Sequence, residues 1–410
     1  MLLNMKTIKS ILFYLIASLF ISCANDDDHT VLVSTLAIFD YTDSSPNAIP
    51  DIIFANDLNG QLIAQINTNN LPGFYQLKPE QGYTSPTFNL SFYSENSSGT
   101  EKNLGSYYDV PVNISFKPTQ YNYSYSNQLK LNFNLSGTTN YIVNIYGLRR
   151  QFVDQTDDGL GMVSHTYNYD PQNSADKLFI RLQYTDGSGT QRYFYRWTEG
   201  YQSINEITYE LSDFVEATLT SPVLNDEAND YSGFDLYGSL NGINCNLRAF
   251  GTSDYYNITE GFENYVVRYY GGYTDDFAHE KMIASSTYPE NITVTRPNWN
   301  INYSVDNDIL TTETTGLYSL LFLRTSYENT SEDLNWNMAF PPQSKSYAIP
   351  ELPVALETDF GQHFSTGAPF DQHYAPMTLY NNYSNYNDLV TDHINESIDY
   401  EGDERLIKYF

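Results

Sequence analysis

The sequence predicts an all-β protein of two or three β-sandwich (Ig-like) domains, carried on a flexible N-terminal tether and closed by a less regular C-terminal tail. Three observations lead there. Apolar residues recur at every second position in short runs rich in Tyr, Ile, Val, Phe and Thr, broken by Asn, Gly, Asp and Ser. That is the rhythm of half-buried strands. No long stretch repeats its apolar residues every 3.6 positions and no unit recurs at a fixed period, which argues against bundles, solenoids and propellers. Finally, two segments can be paired residue by residue as β-hairpins.

From the N-terminus, Lys6 and Lys9 precede an apolar run from Ile11 to Ile21. That run falls short of the roughly 20 residues a membrane-spanning helix needs. A positive start and a short apolar core describe a cleavable signal over 1–22. The run ends Phe20-Ile21-Ser22-Cys23, and a small residue directly before a cysteine resembles the lipobox of bacterial lipoproteins. Phe20 stands where that family favours Leu, with Leu19 one place earlier. The resemblance implies cleavage before Cys23 and a lipid on that cysteine. The following Ala24-Asn25-Asp26-Asp27-Asp28, within a tether over 23–30, is similar to the export signal of surface lipoproteins of the Bacteroidetes. It implies an outer-membrane, lipid-anchored protein facing the cell exterior.

The body divides by weak breaks near Pro118-Thr119, between Pro222 and Asp230, and around Pro341-Pro342 or Ile349-Pro350. These suggest β domains over 31–118, 119–225 and 226–356, and a polar, acidic tail over 357–410. Strands are expected near Val31–Phe39, Ile52–Ile66, Thr87–Tyr93, Leu129–Asn134, Tyr141–Tyr146, Ile207–Thr220, Tyr265–Tyr270, Ile292–Val305, Leu317–Arg324 and Asn335–Phe340. One short acidic helix is expected between Asp388 and Glu404.

Within the middle domain, Lys177 to Thr185 turns at Asp186-Gly187-Ser188-Gly189 and returns from Thr190 to Trp197. Pairing Asp186 with Gly189 sets Leu182 opposite Tyr193, Ile180 opposite Tyr195 and Leu178 opposite Trp197, an apolar face of favourable cross-strand pairs. The other face then gathers Arg181, Arg192 and Arg196 beside Phe179 and Phe194. Three of the ten arginines would share one patch. Arginine forks bind carboxylate or sulfate bidentately, so this patch is a candidate ligand platform, unless acids on a neighbouring strand take the arginines up.

The second hairpin turns at Asn241-Gly242, a pair suited to a type I′ turn because both residues accept φ > 0. Its register places Leu240 opposite Ile243, Gly238 opposite Cys245, Leu236 opposite Leu247 and Phe234 opposite Ala249. Ser239/Asn244, Tyr237/Asn246 and Asp235/Arg248 fall on the polar face. Cys245 becomes a small buried hydrophobe facing a glycine.

Charge narrows the partners. The chain carries 50 acidic against 20 basic residues, a formal net charge of −30, and loss of the leader would remove Lys6 and Lys9 as well. Such a surface repels nucleic acid. There is no H-E-x-x-H, G-x-S-x-G, Walker loop or paired C-x-x-C. Ser174-Ala175-Asp176-Lys177 matches S-x-x-K but precedes a strand and lacks the companion motifs. Two histidine–acid clusters, His363/Asp371/His373 with Asp392/His393 and Asp275/Asp276/His279/Glu280, lack a recognised zinc spacing. Calcium takes six to eight oxygens, often from loops. Its candidate ligands are Asp154, Asp157 and Asp158 with Gly159, and Asp226 and Asp230 with Glu227, Asn229 and Gly233.

The 38 Tyr, 23 Phe and 3 Trp combine flat rings with polar edges, as a sugar-binding face requires. The expected function is a surface-exposed, non-catalytic binding lipoprotein for glycan or another nutrient ligand. The alternatives are a structural or assembly partner of other outer-membrane proteins and, third, a carboxylate-based glycoside hydrolase.

Overall fold

The alternating runs assemble into stacked β-layers. The computed structural model describes residues 32–410 apart from 119–125, 137, 149, 157–161, 307, 329–332, 362–371 and 396–402. The signal, Cys23 and the acidic tether lie outside the described residues. The protein is an all-β fold of sandwich-like layers.

The principal layer is a 12-stranded sheet. In spatial order its strands are Ile243–Asn246, Tyr231–Leu240, Asn264–Tyr273, Phe277–Ser285, Glu404–Tyr409, Gln372–Leu379, Leu320–Glu328, Asp333–Phe340, Glu101–Pro111, Thr87–Glu95, Ile52–Asn56 and Leu62–Asn67. Period-2 alternation serves two cores at once. Phe54, Leu104, Trp336, Met377 and Leu406 bury against Ile301, Leu310 and Tyr347 of a three-stranded sheet on one face. Ile53, Ala55, Phe88, Leu90 and Val110 bury against Ala37, Phe39, Leu77 and Phe116 of another three-stranded sheet on the opposite face.

This sheet redraws the expected domains 31–118, 226–356 and 357–410, which share it rather than standing apart. Asp333–Phe340 runs parallel to Glu101–Pro111, and the Trp336 indole N–H donates to Ser106 Oγ at 3.0 Å, pinning that register. The tail supplies two interior strands and the helix Tyr386–Ile394, whose N-cap Asn385 accepts from the Asp388 N–H. Glu404–Tyr409 reads as polar because its charges are met by the neighbouring strand. Glu404 reaches Lys281 Nζ at 3.0 Å, and Arg405 reaches Glu280 at 3.1 Å.

His393 of that helix is buried between Phe322 and Tyr107, with which it shares a 3.1 Å hydrogen bond. Burial pulls its pKa from 6.5 down to about 4. Because the folded state favours neutral His393, the stability it contributes is complete above about pH 6.5 and drains away as pH falls towards 4, by up to about 3 kcal/mol. Urea unfolding at pH 7, 5.5 and 4.5 checks this. His393→Phe is expected to flatten the slope across that window, and an unchanged slope refutes the assignment.

The middle unit, within the expected 119–225, is its own sandwich. A five-stranded sheet (Arg150–Thr156, Thr139–Leu148, Lys177–Thr185, Gln191–Glu199, Val215–Glu216) faces a three-stranded one (Met162–Tyr169, Asn127–Asn134, Glu206–Glu210). Leu129, Leu131, Phe133, Val143, Ile180, Leu182 and Tyr209 fill the space between. The outer face of the five-stranded sheet carries Phe179, Tyr193, Tyr195 and Trp197, and packs onto the Tyr231–Leu240 end of the large sheet.

The Asn-Gly hairpin forms with Leu240 opposite Ile243, Ser239 opposite Asn244, Gly238 opposite Cys245 and Tyr237 opposite Asn246. Asn241 and Gly242 take φ of 50° and 75°. The strand stops at Asn246, so the expected Asp235/Arg248 and Phe234/Ala249 pairs are replaced. Arg248 bridges Tyr255 instead, while Asp235 opposes Arg268 in the ladder on the strand's other side.

The other hairpin slips by one residue from the expected register. Gly189 adopts φ 82°, and the Asp186 N–H donates to the Thr190 carbonyl at 2.9 Å. The loop closes as a turn plus a bulge rather than as a two-residue turn. Phe179 now opposes Trp197, Arg181 opposes Tyr195 and Leu182 opposes Phe194. One residue of slip exchanges the two faces of a strand.

Candidate functional site

The slip dissolves the three-arginine platform. Tyr184/Arg192, Leu182/Phe194 and Ile180/Arg196 lie on the sandwich-core side, whereas Phe179 and Arg181 point into the junction with the large sheet. Arg192 is held by Asp186 at 3.0 Å and by Glu216 at 3.1 Å. Arg196 donates to the Asp213 carbonyl at 2.6 Å and lies over the Tyr209 ring. Phe194 stacks on Tyr184. Nearby acids and rings thus use these groups as structure.

Arg181 lines a cavity. Of about 760 Å³, this cavity lies at the junction of the middle sandwich and the large sheet. Ile142, Asn144 and Arg181 line it from the sandwich, and Asn246, Arg248 and the loop from Ala249 to Ser253 line it from the other side. Arg181 is 6% exposed. Its Nη1 donates to the Arg248 carbonyl at 2.7 Å and its Nη2 to Tyr146 Oη at 3.0 Å. Tyr146 donates in turn to the Asn246 carbonyl at 3.3 Å. Burial pushes the Tyr146 phenol up to about 12 even though Arg181 opposes the shift, so it stays a neutral donor. The rings of Tyr146 and Tyr256 flank the guanidinium at 5.5 and 5.1 Å.

The rim is equally constrained. Gln183, buried one alternate position along from Arg181, bonds both backbone groups of Phe250. Its Nε2 donates to the Phe250 carbonyl and its Oε1 accepts from the Phe250 N–H, each at 3.1 Å. Gly251 turns the chain at φ 78°. The Phe250 ring is left 62% exposed at the cavity mouth on a pinned backbone. Sequence reasoning missed Phe250, Gln183 and the role of Arg248. The available signal was an aromatic residue directly ahead of Gly251-Thr252-Ser253, where a ring has no strand to pack in.

The remaining candidates are distributed as follows. Cys245 is buried opposite Gly238, and burial pushes its thiol up to about 12, so it is an inert core group. Cys23, Asp157 and Asp158 lie outside the described residues, as does the side chain of Asp154. Asp226 has a buried oxygen beside the Tyr269–Tyr273 pair, while Asp230 is exposed. Glu227 accepts from the Arg296 N–H, and the Arg296 guanidinium pairs with Asp275 at 2.9 Å, so a fixed cation already serves this loop. His279 and Glu280 bind the C-terminal strand through Glu404 and Arg405. Among the described residues no group of three or more His, Cys, Asp or Glu converges as a metal site.

Much of the tyrosine content is structural. Tyr108, Tyr169, Tyr201 and Tyr209 are among the largest fully buried side chains, and Tyr201, Tyr255 and Tyr386 donate to backbone carbonyls. A second cavity of about 420 Å³ carries Asp308, Glu351 and Glu357 beside Trp336 and Phe360. Its Glu351 carboxylate already accepts from the Leu62 N–H at 3.0 Å.

No protein-family model matches the chain, and no curated protein matches it either. Among solved structures it aligns with a Ca2+-stabilized, ice-binding adhesin of an Antarctic bacterium. The two share 8% identity over 85% of this chain and 95% of that one, at a TM-score of 0.15. A superposition that poor carries no argument about function.

Proposed function

We propose that the chain is a non-catalytic binding lipoprotein, held at the outer surface of the outer membrane through Cys23, that takes a glycan or related nutrient ligand into the junction cavity. The observation that carries this reading is the clamp on Phe250. An exposed ring on a backbone held by two hydrogen bonds, lining the same cavity as a buried arginine, offers one flat apolar face and one polar anchor to the same ligand. Binding cavities typically combine apolar surface with a few convergent polar groups in this way.

The test is retardation of the soluble chain from Ala24 in native gels loaded with neutral and anionic polysaccharides. Phe250→Ala is expected to weaken the retardation about 5-fold, in line with the ~1 kcal/mol of one aromatic contact. Its unfolding midpoint should barely move, because the ring is exposed. Retardation that Phe250→Ala leaves intact would exclude the junction cavity as the site.

A further inference from the structure

We propose, resting on the binding reading above, that the junction cavity recognises an anionic group, a carboxylate or sulfate ester of its ligand, gripped jointly by Arg181 and Arg248. The basis is a charge imbalance. Arg192, Arg196, Arg296 and Arg405 each lie within 4.0 Å of a carboxylate oxygen. Arg181, buried more deeply than any of these, meets only neutral acceptors, the Arg248 carbonyl and Tyr146 Oη. Among the described residues no carboxylate pairs with it.

A guanidinium has five N–H groups. Arg181 uses one on each terminal nitrogen, and its Nε has no partner. A buried cation without a counter-charge is costly to hold, and that cost falls when an anion arrives.

Arg248 stands beside it. Its carbonyl orients the Arg181 guanidinium, the residue lines the same cavity, its side chain is exposed, and it too forms no ion pair among the described residues. None of the described lining residues is acidic, in a chain of net charge −30. Two arginines line a space whose described lining holds no anionic side chain. Asn144, Asn246, Thr252 and Ser253 line the remainder, and such amides and hydroxyls complement sugar hydroxyls. Planar arginine forks match carboxylate and sulfate oxygens bidentately, and partial burial strengthens the attraction over its value in water. The net negative charge elsewhere discourages diffuse capture of polyanions, so recognition falls to this one place.

Isothermal titration of the soluble chain from Ala24 with polygalacturonate, dextran sulfate and neutral dextran tests the proposal. Arg248→Gln is the principal variant, since its side chain is exposed and its carbonyl is kept. An acidic polymer is expected to bind at least 10-fold more tightly than neutral dextran, to weaken with added salt, and to lose at least 10-fold in Arg248→Gln. Preference for polygalacturonate assigns a carboxylate; preference for dextran sulfate assigns a sulfate ester. If neutral dextran binds, is weakened by Phe250→Ala and ignores Arg248→Gln, the anion assignment is overturned while the binding reading stands. If neither acidic polymer binds, the anion assignment is overturned, and the neutral panel alone judges the binding reading.

Discussion

Truncation after Asp403 is expected to abolish the cooperative fold. The seven residues removed include Glu404–Tyr409, an interior strand that pairs with Phe277–Ser285 on one side and Gln372–Leu379 on the other. Leu406 is fully buried in the largest core and Ile407 nearly so. Leu406→Ala alone should cost about 2–5 kcal/mol. Full truncation adds the second buried side chain, two ladders of backbone bonds and the partners of His279, Lys281 and Glu280. That total rivals the ~5–15 kcal/mol of net stability typical of a domain. It would also bare two long interior strand edges, which template aggregation. Size-exclusion chromatography and urea unfolding provide the check. The expected outcome is a loss of soluble monomer for the truncation and a lowered midpoint with retained cooperativity for Leu406→Ala. A soluble truncated chain with an unshifted midpoint would refute the role given to this strand.

Gly238→Val is expected to loosen the junction on which the candidate site is built. A Cβ at Gly238 would lie 2.5 Å from three atoms of the Phe262 ring. On its packed side that ring meets Phe179 at 5.0 Å, Trp197 at 4.9 Å and Tyr265 at 5.9 Å, which limits its retreat. Overpacking of a tight core costs about 1–3 kcal/mol, and the branched side chain should reach the upper end. Of the rings packed on Phe262, Phe179 lies on the Lys177–Thr185 strand that carries Arg181 and Gln183, so ligand binding should weaken along with stability. Pairing Gly238→Val with Phe262→Ala should recover part of the loss, since the two sites share one volume. Gly187→Ala is the control, because its Cβ would meet nothing within 4 Å. A Gly238→Val midpoint equal to that of the control would show that the junction does not depend on this contact.

The two hairpins show what local pattern can decide. At Asn241-Gly242 the turn chemistry and the alternation agree, and Gly238 meets Cys245 as their spacing requires. At Asp186–Gly189 the pattern could not choose a register. Lys177–Thr185 is buried along nearly its whole length on both faces, between the sandwich core and the junction. A strand with no wet face carries no alternation to reject a one-residue slip. The decision passed to Gly189 and to the Asp186 carboxylate, which accepts from the Ser188 and Thr190 N–H groups.

The tail illustrates the same point over long range. Glu404, Arg405 and Lys408 look like solvent-facing charge until Lys281, Glu280 and the Ile301 carbonyl are placed beside them. Arg248 and Phe250 likewise cannot be joined into a site from local pattern, because their partners Arg181 and Gln183 are 67 residues away in the chain.

Sequence by itself determined the all-β class, the existence of most strands, the Asn-Gly turn and the buried, inert place of Cys245. Each of these depends on the chemistry of residues within a few positions of one another. Only the tertiary structure decided which strands adjoin, which arginines lack a carboxylate among the described residues, and where the cavity opens. Those outcomes depend on pairing between distant segments, where the closure of long loops and the burial of shared faces set the free energy, and no local period encodes it.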